Sequence, residues 1–114
     1  MIKVKEEIKL VIKALSEKKA ENIRLFDLEG NSSFTDYVII ATATSGPHAK
    51  ALKSHVDFAT KENGIYPVGE ESSLDNSWMV IDGFYYMVHI QTEEMRDYYD
   101  IDGLCNNGKE INIC

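Results

Sequence analysis

The sequence predicts a single α/β domain, a small mixed β-sheet with helices packed against it. Three observations lead there: apolar residues at helical spacing near the start and again after Pro47, a continuous β-branched run at Tyr37 to Ala43, and two strand-like runs joined at Asp82-Gly83. A chain of 114 residues buries about 65% of its extended-chain surface on folding, enough for one core without staples.

Val4, Ile8, Val11, Ile12 and Leu15 share one helical face, with Lys3, Lys5, Glu6, Lys9, Lys13 and Glu17 around the rest of the wheel, so the first element is an amphipathic helix. Asn22 to Leu28 reads as a short strand ending in a turn at Glu29-Gly30-Asn31. Tyr37 to Ala43 is nearly all apolar and marks a central strand covered on both faces.

After Ser45-Gly46-Pro47 the period changes. Ser or Gly caps a second helix, Pro47 suits its first turn, and Ala51, Leu52, His55, Val56 and Ala59 form the expected inner face, with Asn63-Gly64 as the stop. Ser77 to Ile81 and Phe84 to Gln91 follow as strands of a hairpin turned at Asp82-Gly83. Thr92 caps a last short helix, with Glu93 and Glu94 complementing its dipole and Met95, Tyr98 and Tyr99 as its expected inner face. From Gly103 onward no periodicity is visible, and no linker or repeat divides the chain.

The net charge of −7 is unevenly placed: residues 1–20 carry six Lys against three Glu, whereas residues 62–114 carry Arg96 and Lys109 against eleven acids. Direct binding to a nucleic-acid backbone needs clustered Lys and Arg, so the acidic half favours a basic protein partner and little direct nucleic-acid contact. No run approaches the roughly 20 apolar residues of a membrane span, and the charged start lacks the apolar core of a signal peptide. Cytoplasmic localisation without membrane contact is the expectation, with Cys105 and Cys114 as free thiols.

Several chemistries are weighed against simpler structural roles. The Thr44-Ser45-Gly46-Pro47 corner offers free N–H groups at a helix start, but lacks the glycines and lysine of a phosphate loop, so capping is preferred. Asp100-Ile101-Asp102 is the one Asp-x-Asp pair and follows a helix rather than ending a central strand, which argues against two-metal catalysis. His48, His55 and His89 lack zinc spacing, and Ser33, Thr35 and Asp36 lack a nucleophile elbow. No metal, cofactor or enzymatic activity is expected. Trp78, Tyr85 and Tyr86, with Glu70, Glu71, Asp75 and Asp82 nearby, combine aromatic anchors with charge as a protein-binding hot spot does, although Trp78 fits a core position equally well.

Ser32-Ser33-Phe34-Thr35-Asp36-Tyr37, then Trp78-Met79-Val80-Ile81-Asp82, Met87-Val88-His89-Ile90 and Glu94-Met95-Arg96-Asp97-Tyr98-Tyr99, in this order, closely resemble the ribosomal silencing factor (Iojap-related) family. The resemblance runs to about Leu104, giving a domain over residues 1–104 and a tail over 105–114, and implies a nucleotidyltransferase-like topology without that catalysis. It further implies binding to the large ribosomal subunit through its basic ribosomal protein number fourteen, and repression of translation by blocking small-subunit joining. Carried over by position, the partner-binding candidates are Asp36, Tyr37, Trp78, Asp82, His89 and Tyr99, joined by Glu70, Glu71 and Tyr85 from the charge and aromatic reading. Phe84-Tyr85 stands where the family usually has Gly-Asp, and Leu104-Cys105 where it often has Leu-Trp. Two other readings are a nucleotide-using transferase and a homodimer formed through Trp78 and Tyr86.

Overall fold

The computed structural model describes residues 4–28, 36–105 and 108–112. The Glu29-Gly30-Asn31 turn, the Ser32 to Thr35 stretch and Cys114 lie outside them. Helices α1 (Val4–Glu17), α2 (Gly46–Glu62), α3 (Glu93–Tyr99) and α4 (Ile101–Leu104) accompany strands β1 (Glu21–Asp27), β2 (Tyr37–Ala43), β3 (Gly69–Ser72), β4 (Trp78–Asp82), β5 (Tyr86–Thr92) and β6 (Lys109–Ile111). The strands form one mixed sheet in the order β3-β4-β5-β2-β1-β6. Among the described residues only β2 and β5 run parallel, and the other neighbours are antiparallel.

Strand β2 is central, as its composition requires, and every residue after Tyr37 is buried. Its neighbours' alternating side chains divide the sheet into two unlike faces. The first carries Leu25, Ile39, Ala41, Met79, Ile81, Tyr86, Val88 and Ile90 against Ile8, Val11 and Leu15 of α1 and Ala49, Leu52 and Val56 of α2. The inner stripe of α2 is therefore Ala49, Leu52, Val56 and Thr60: Leu52 and Val56 are buried as expected and Ala59 packs half-buried beside them, whereas Ala51 is exposed and His55 half-buried. The second face holds only a small cluster, Phe26, Val38 and Ile40 with Ile101 and Cys105, against which Leu28 and Trp78 pack.

Two strands escape the sequence reading. β3 is exposed at every position and owes its conformation to pairing with β4. β6 lies in the stretch without periodicity, and its pairing partner β1 is some eighty residues earlier.

The β4–β5 connection also differs from the two-residue turn that Asp-Gly suggests. The loop is Gly83-Phe84-Tyr85, and the left-handed residue is Phe84, at φ +76°. Gly83 is needed for a different reason: a Cβ there would fall inside the ring of Tyr86. That ring is buried, and its hydroxyl donates to Glu7 Oε1 at 2.6 Å.

The last helix breaks at Asp100, which adopts φ +46° and caps α4 by accepting from Gly103 N at 3.1 Å. Instead of Met95, Tyr98 and Tyr99, the residue that α3 buries is Arg96, 6% exposed, while Tyr98 and Tyr99 remain largely in solvent. Arg96 makes a two-pronged pair with Asp102, Nε to Oδ1 at 3.0 Å and Nη2 to Oδ2 at 2.8 Å. Its Nη1 donates to Thr42 Oγ1 at 2.9 Å and to Asn22 O at 2.6 Å. A register irregularity in β1, with Asn22 at φ +46°, accompanies that last contact. Asp102 also accepts from Arg24 Nη1 at 2.9 Å, and Arg24 pairs with Glu110 of β6. Burial alone would raise the Asp102 carboxyl, but the hydrogen bonds and charge of Arg96, with the charge of Arg24, hold it below the usual range.

Truncating one partner of such a pair strands a buried charge, so Arg96→Ala is expected to cost about 3–5 kcal/mol in urea denaturation. Gln91 offers the opposite case, fully buried with neither amide atom hydrogen-bonded to any described residue. Gln91→Met is expected to stabilise by about 1–2 kcal/mol in the same assay, because no partner is orphaned.

Candidate functional site

On the second face, α3, α4 and Cys105 cover only the part of the sheet over β1, β2 and the end of β5. Alternation along β4 brings Trp78, Val80 and Asp82 to this face, and register adds Met87 and His89 of β5 and, opposite Val80, Glu71 of β3. All but the exposed Glu71 are half-buried. The result is a strip of apolar and aromatic side chains with a carboxylate at its end and another on its outer edge.

The strip is held by its own contacts. The Trp78 indole N–H donates to His89 Nδ1 at 3.1 Å. Tyr99 packs on the Trp78 ring at 4.7 Å between centroids and 45° between planes, and Tyr98 meets Tyr99 edge-on at 4.9 Å. Burial pushes the His89 pKa down to about 4, so the imidazole is neutral at physiological pH. With Nδ1 accepting from Trp78, the ring proton resides on Nε2. Trp78 is thus neither core nor free: it packs against the smaller cluster and remains half-buried.

The structure gathers some sequence-derived candidates and separates others. Trp78, Asp82, His89, Tyr99 and Glu71 belong to the strip. Tyr85 and Asp36 flank its end, joined by a hydrogen bond from Asp36 N to Tyr85 O at 3.1 Å. Tyr37 and Glu70 lie on the helix-covered side: Tyr37 packs against the larger core, and Glu70 accepts from Lys53 of α2 at 2.8 Å. Tyr86 is 3% exposed, which removes it from any face shared with a second copy. Sequence reasoning passed over Val80 and Met87, whose signal is their parity with Trp78 and His89.

The Ser45 corner is framework. Ser45 is extended, and its Oγ accepts from His48 N at 3.1 Å. His48 Nδ1 accepts from Thr44 N at 2.9 Å, and Nε2 donates to Lys18 O at 2.8 Å, tying α2 to the end of α1. The cavity beside this corner is lined by Glu21, Asp75, Glu93 and Glu94 with no cationic side chain, an environment that repels phosphate. Asp36 and Asp82 lie at the other end of β2, a strand's length of about 23 Å away. Among the described residues no three His, Cys, Asp or Glu side chains are grouped to hold a metal.

Comparisons with known proteins place this geometry among relatives. Residues 2–113 match the family model described as ribosomal silencing factor during starvation. A ribosomal silencing factor of Chromobacterium violaceum is 33% identical over 108 residues, covering 95% of this chain and 88% of the relative. One of Haemophilus influenzae is 31% identical over 97 residues, 85% of this chain and 95% of that one. A crystal structure of a Chromobacterium violaceum protein superposes with a TM-score of 0.88 at 32% identity, covering 99% of this chain and 94% of the other.

The neutral His89 gives a pH signature. Its folded pKa of about 4 lies below the ordinary 6.5, so the unfolded chain takes up the proton first on acidification. The stability it contributes is complete above about pH 6.5 and is lost as pH falls towards 4, by up to about 3 kcal/mol. His89→Gln, which can still accept from the indole, is expected to flatten that part of the stability profile relative to the wild type in denaturant titrations from pH 7.5 to 4.

Proposed function

The chain belongs to the ribosomal silencing factor family, and from that premise we propose that it represses translation by occupying the large ribosomal subunit. The docking partner in this reading is the basic ribosomal protein number fourteen of the intersubunit face. The bound protein stands where the small subunit must approach, so inhibition is steric and needs no chemistry. Action is in the cytoplasm, where subunits join; no helix among the described residues is long and apolar enough to cross a membrane.

The observation that carries this reading is the open strip of the second face. Trp78 and Tyr99 are large aromatic anchors already fixed by hydrogen bonding and stacking, so little side-chain entropy remains to be lost on binding. Glu71 and Asp82 border them with negative charge, and the acidic C-terminal half extends that potential, which speeds and orients encounter with a basic surface. His89 Nε2–H supplies one directional donor. Tyr85 and Asp36 extend the contact at the hairpin, while Tyr37 and Glu70 support the sheet from behind. The acids around the Ser45 corner disfavour the alternative of a nucleotide-using transferase.

Sedimentation with purified large subunits, followed by addition of small subunits, tests the proposal. The wild type is expected to co-sediment and to deplete joined ribosomes. Trp78→Ala should weaken binding by about 2 kcal/mol or more, roughly thirtyfold. Because Trp78 also packs on the smaller core, Glu71→Lys serves as a companion: exposed and on the outer edge, it should leave melting unchanged and slow association. Absence of wild-type binding at physiological salt would refute the reading.

A further inference from the structure

The tip of the β4–β5 hairpin is built at a conformational cost that the fold itself does not repay. Phe84 sits at φ +76°, where a Cβ is unfavourable and glycine is at ease. Tyr85 N donates to Gly83 O at 3.0 Å, closing a γ-turn on Phe84. Gly83 N donates to Tyr86 O at 2.8 Å, and Asp82 Oδ1 accepts from Phe84 N at 2.9 Å. Every bond of this turn uses backbone atoms or Asp82, so glycine at position 84 would form the same turn without the strain. Among the described residues the Phe84 ring stacks on no ring but that of its neighbour Tyr85, edge-on at 4.7 Å, and the two residues are 62% and 48% exposed.

Strain of this kind persists where a side chain has work outside the fold. The surroundings indicate what kind. Asp82 is bonded into the turn, and exposed Asp36 is tied to Tyr85 through the backbone, so two aromatic and two acidic residues are neighbours at the tip. A guanidinium satisfies both, stacking on an aromatic face while pairing with a carboxylate, which an ammonium does less well. The tip also continues the strip already described, lying one length of β4, about 13 Å, from Trp78.

We infer that Phe84 and Tyr85 form a second anchor of the subunit-binding face, receiving an arginine side chain of the basic protein partner with Asp36 and Asp82 as its counter-charges. The inference rests on the reading in the preceding subsection. It makes Phe84 a residue that costs the free protein stability and gains affinity in the complex.

The test measures thermal midpoint, self-association and affinity for purified large subunits for the wild type and for Phe84→Gly, Phe84→Leu and Tyr85→Ser. Phe84→Gly is expected to melt about 3–6 °C higher than the wild type, yet to bind at least tenfold more weakly. Phe84→Leu keeps an apolar side chain but no π-face, and Tyr85→Ser removes the second ring; both should bind several-fold more weakly. Wild-type affinity in Phe84→Gly would overturn the inference while leaving the silencing reading intact, and so would a fall in both melting and binding, which would make the ring part of the fold. A wild-type dimer dissolved by Phe84→Gly with subunit affinity unchanged would assign the tip to a second copy instead. If the wild type itself fails to bind large subunits, the silencing reading falls and this inference falls with it.

Discussion

The buried pair of Arg96 and Asp102 is the constraint on which the second face depends. Helices α3 and α4 are short and bury few apolar side chains, chiefly Ile101 and Cys105, so hydrophobic area alone holds them weakly. Arg96 supplies what is missing: two parallel bonds to Asp102, one to Thr42 of the central strand and one to the backbone of β1. Desolvating two charges is costly, and geometry of this quality with nearly all donors used is the condition under which the cost is offset. Arg24 carries the network on to Glu110, joining the C-terminal strand to the same system. Tyr99 follows three residues after Arg96, so the pair that fixes the helix also sets the ring that packs on Trp78.

The unequal covering of the two sheet faces follows from helix size. Two long helices cover most of the first face, leaving a groove between α1 and Leu25, Tyr37 and Ile111, and the short pair on the second leaves β3, β4 and much of β5 without a helix above them. A sheet normally buries such a surface, and here Trp78, Val80, Met87 and His89 remain half-buried. Trp78 and His89 are held by their own hydrogen bond, and Trp78 also by the ring of Tyr99. The tie between α2 and the edge of the sheet through Lys53, Glu70 and Asp57 braces β3 from the opposite side.

Charge also differs between the two faces. On the first face the charges balance locally, Lys5, Lys9 and Lys13 of α1 against Glu6, Glu7 and Glu17, and Lys53 of α2 against Asp57 and Glu70, whereas Glu71 and Asp82 border the second face and Glu93, Glu94 and Asp97 lie on α3 at its end.

Much of this was legible in the sequence because it is local. Periodicity located α1, α2 and the strands β2, β4 and β5; Ser45 and Thr92 declared themselves as caps; and the ordered motifs that include Trp78, His89 and Tyr99 pointed to the family. Tertiary structure alone decided the rest. Strands β3 and β6 exist through pairing with distant partners and carry no alternation of their own. Arg96 reads locally as a solvent-facing helical residue, and becomes the buried one because Asp102, Thr42 and Asn22 converge on it from three other segments. Tyr85 and Tyr86 look alike in sequence, yet Tyr85 stays in the exposed loop while Tyr86, the first residue of β5, is buried under Gly83. Side-chain character and local propensity are written residue by residue, whereas the face a residue occupies is fixed only when the helices choose a side of the sheet.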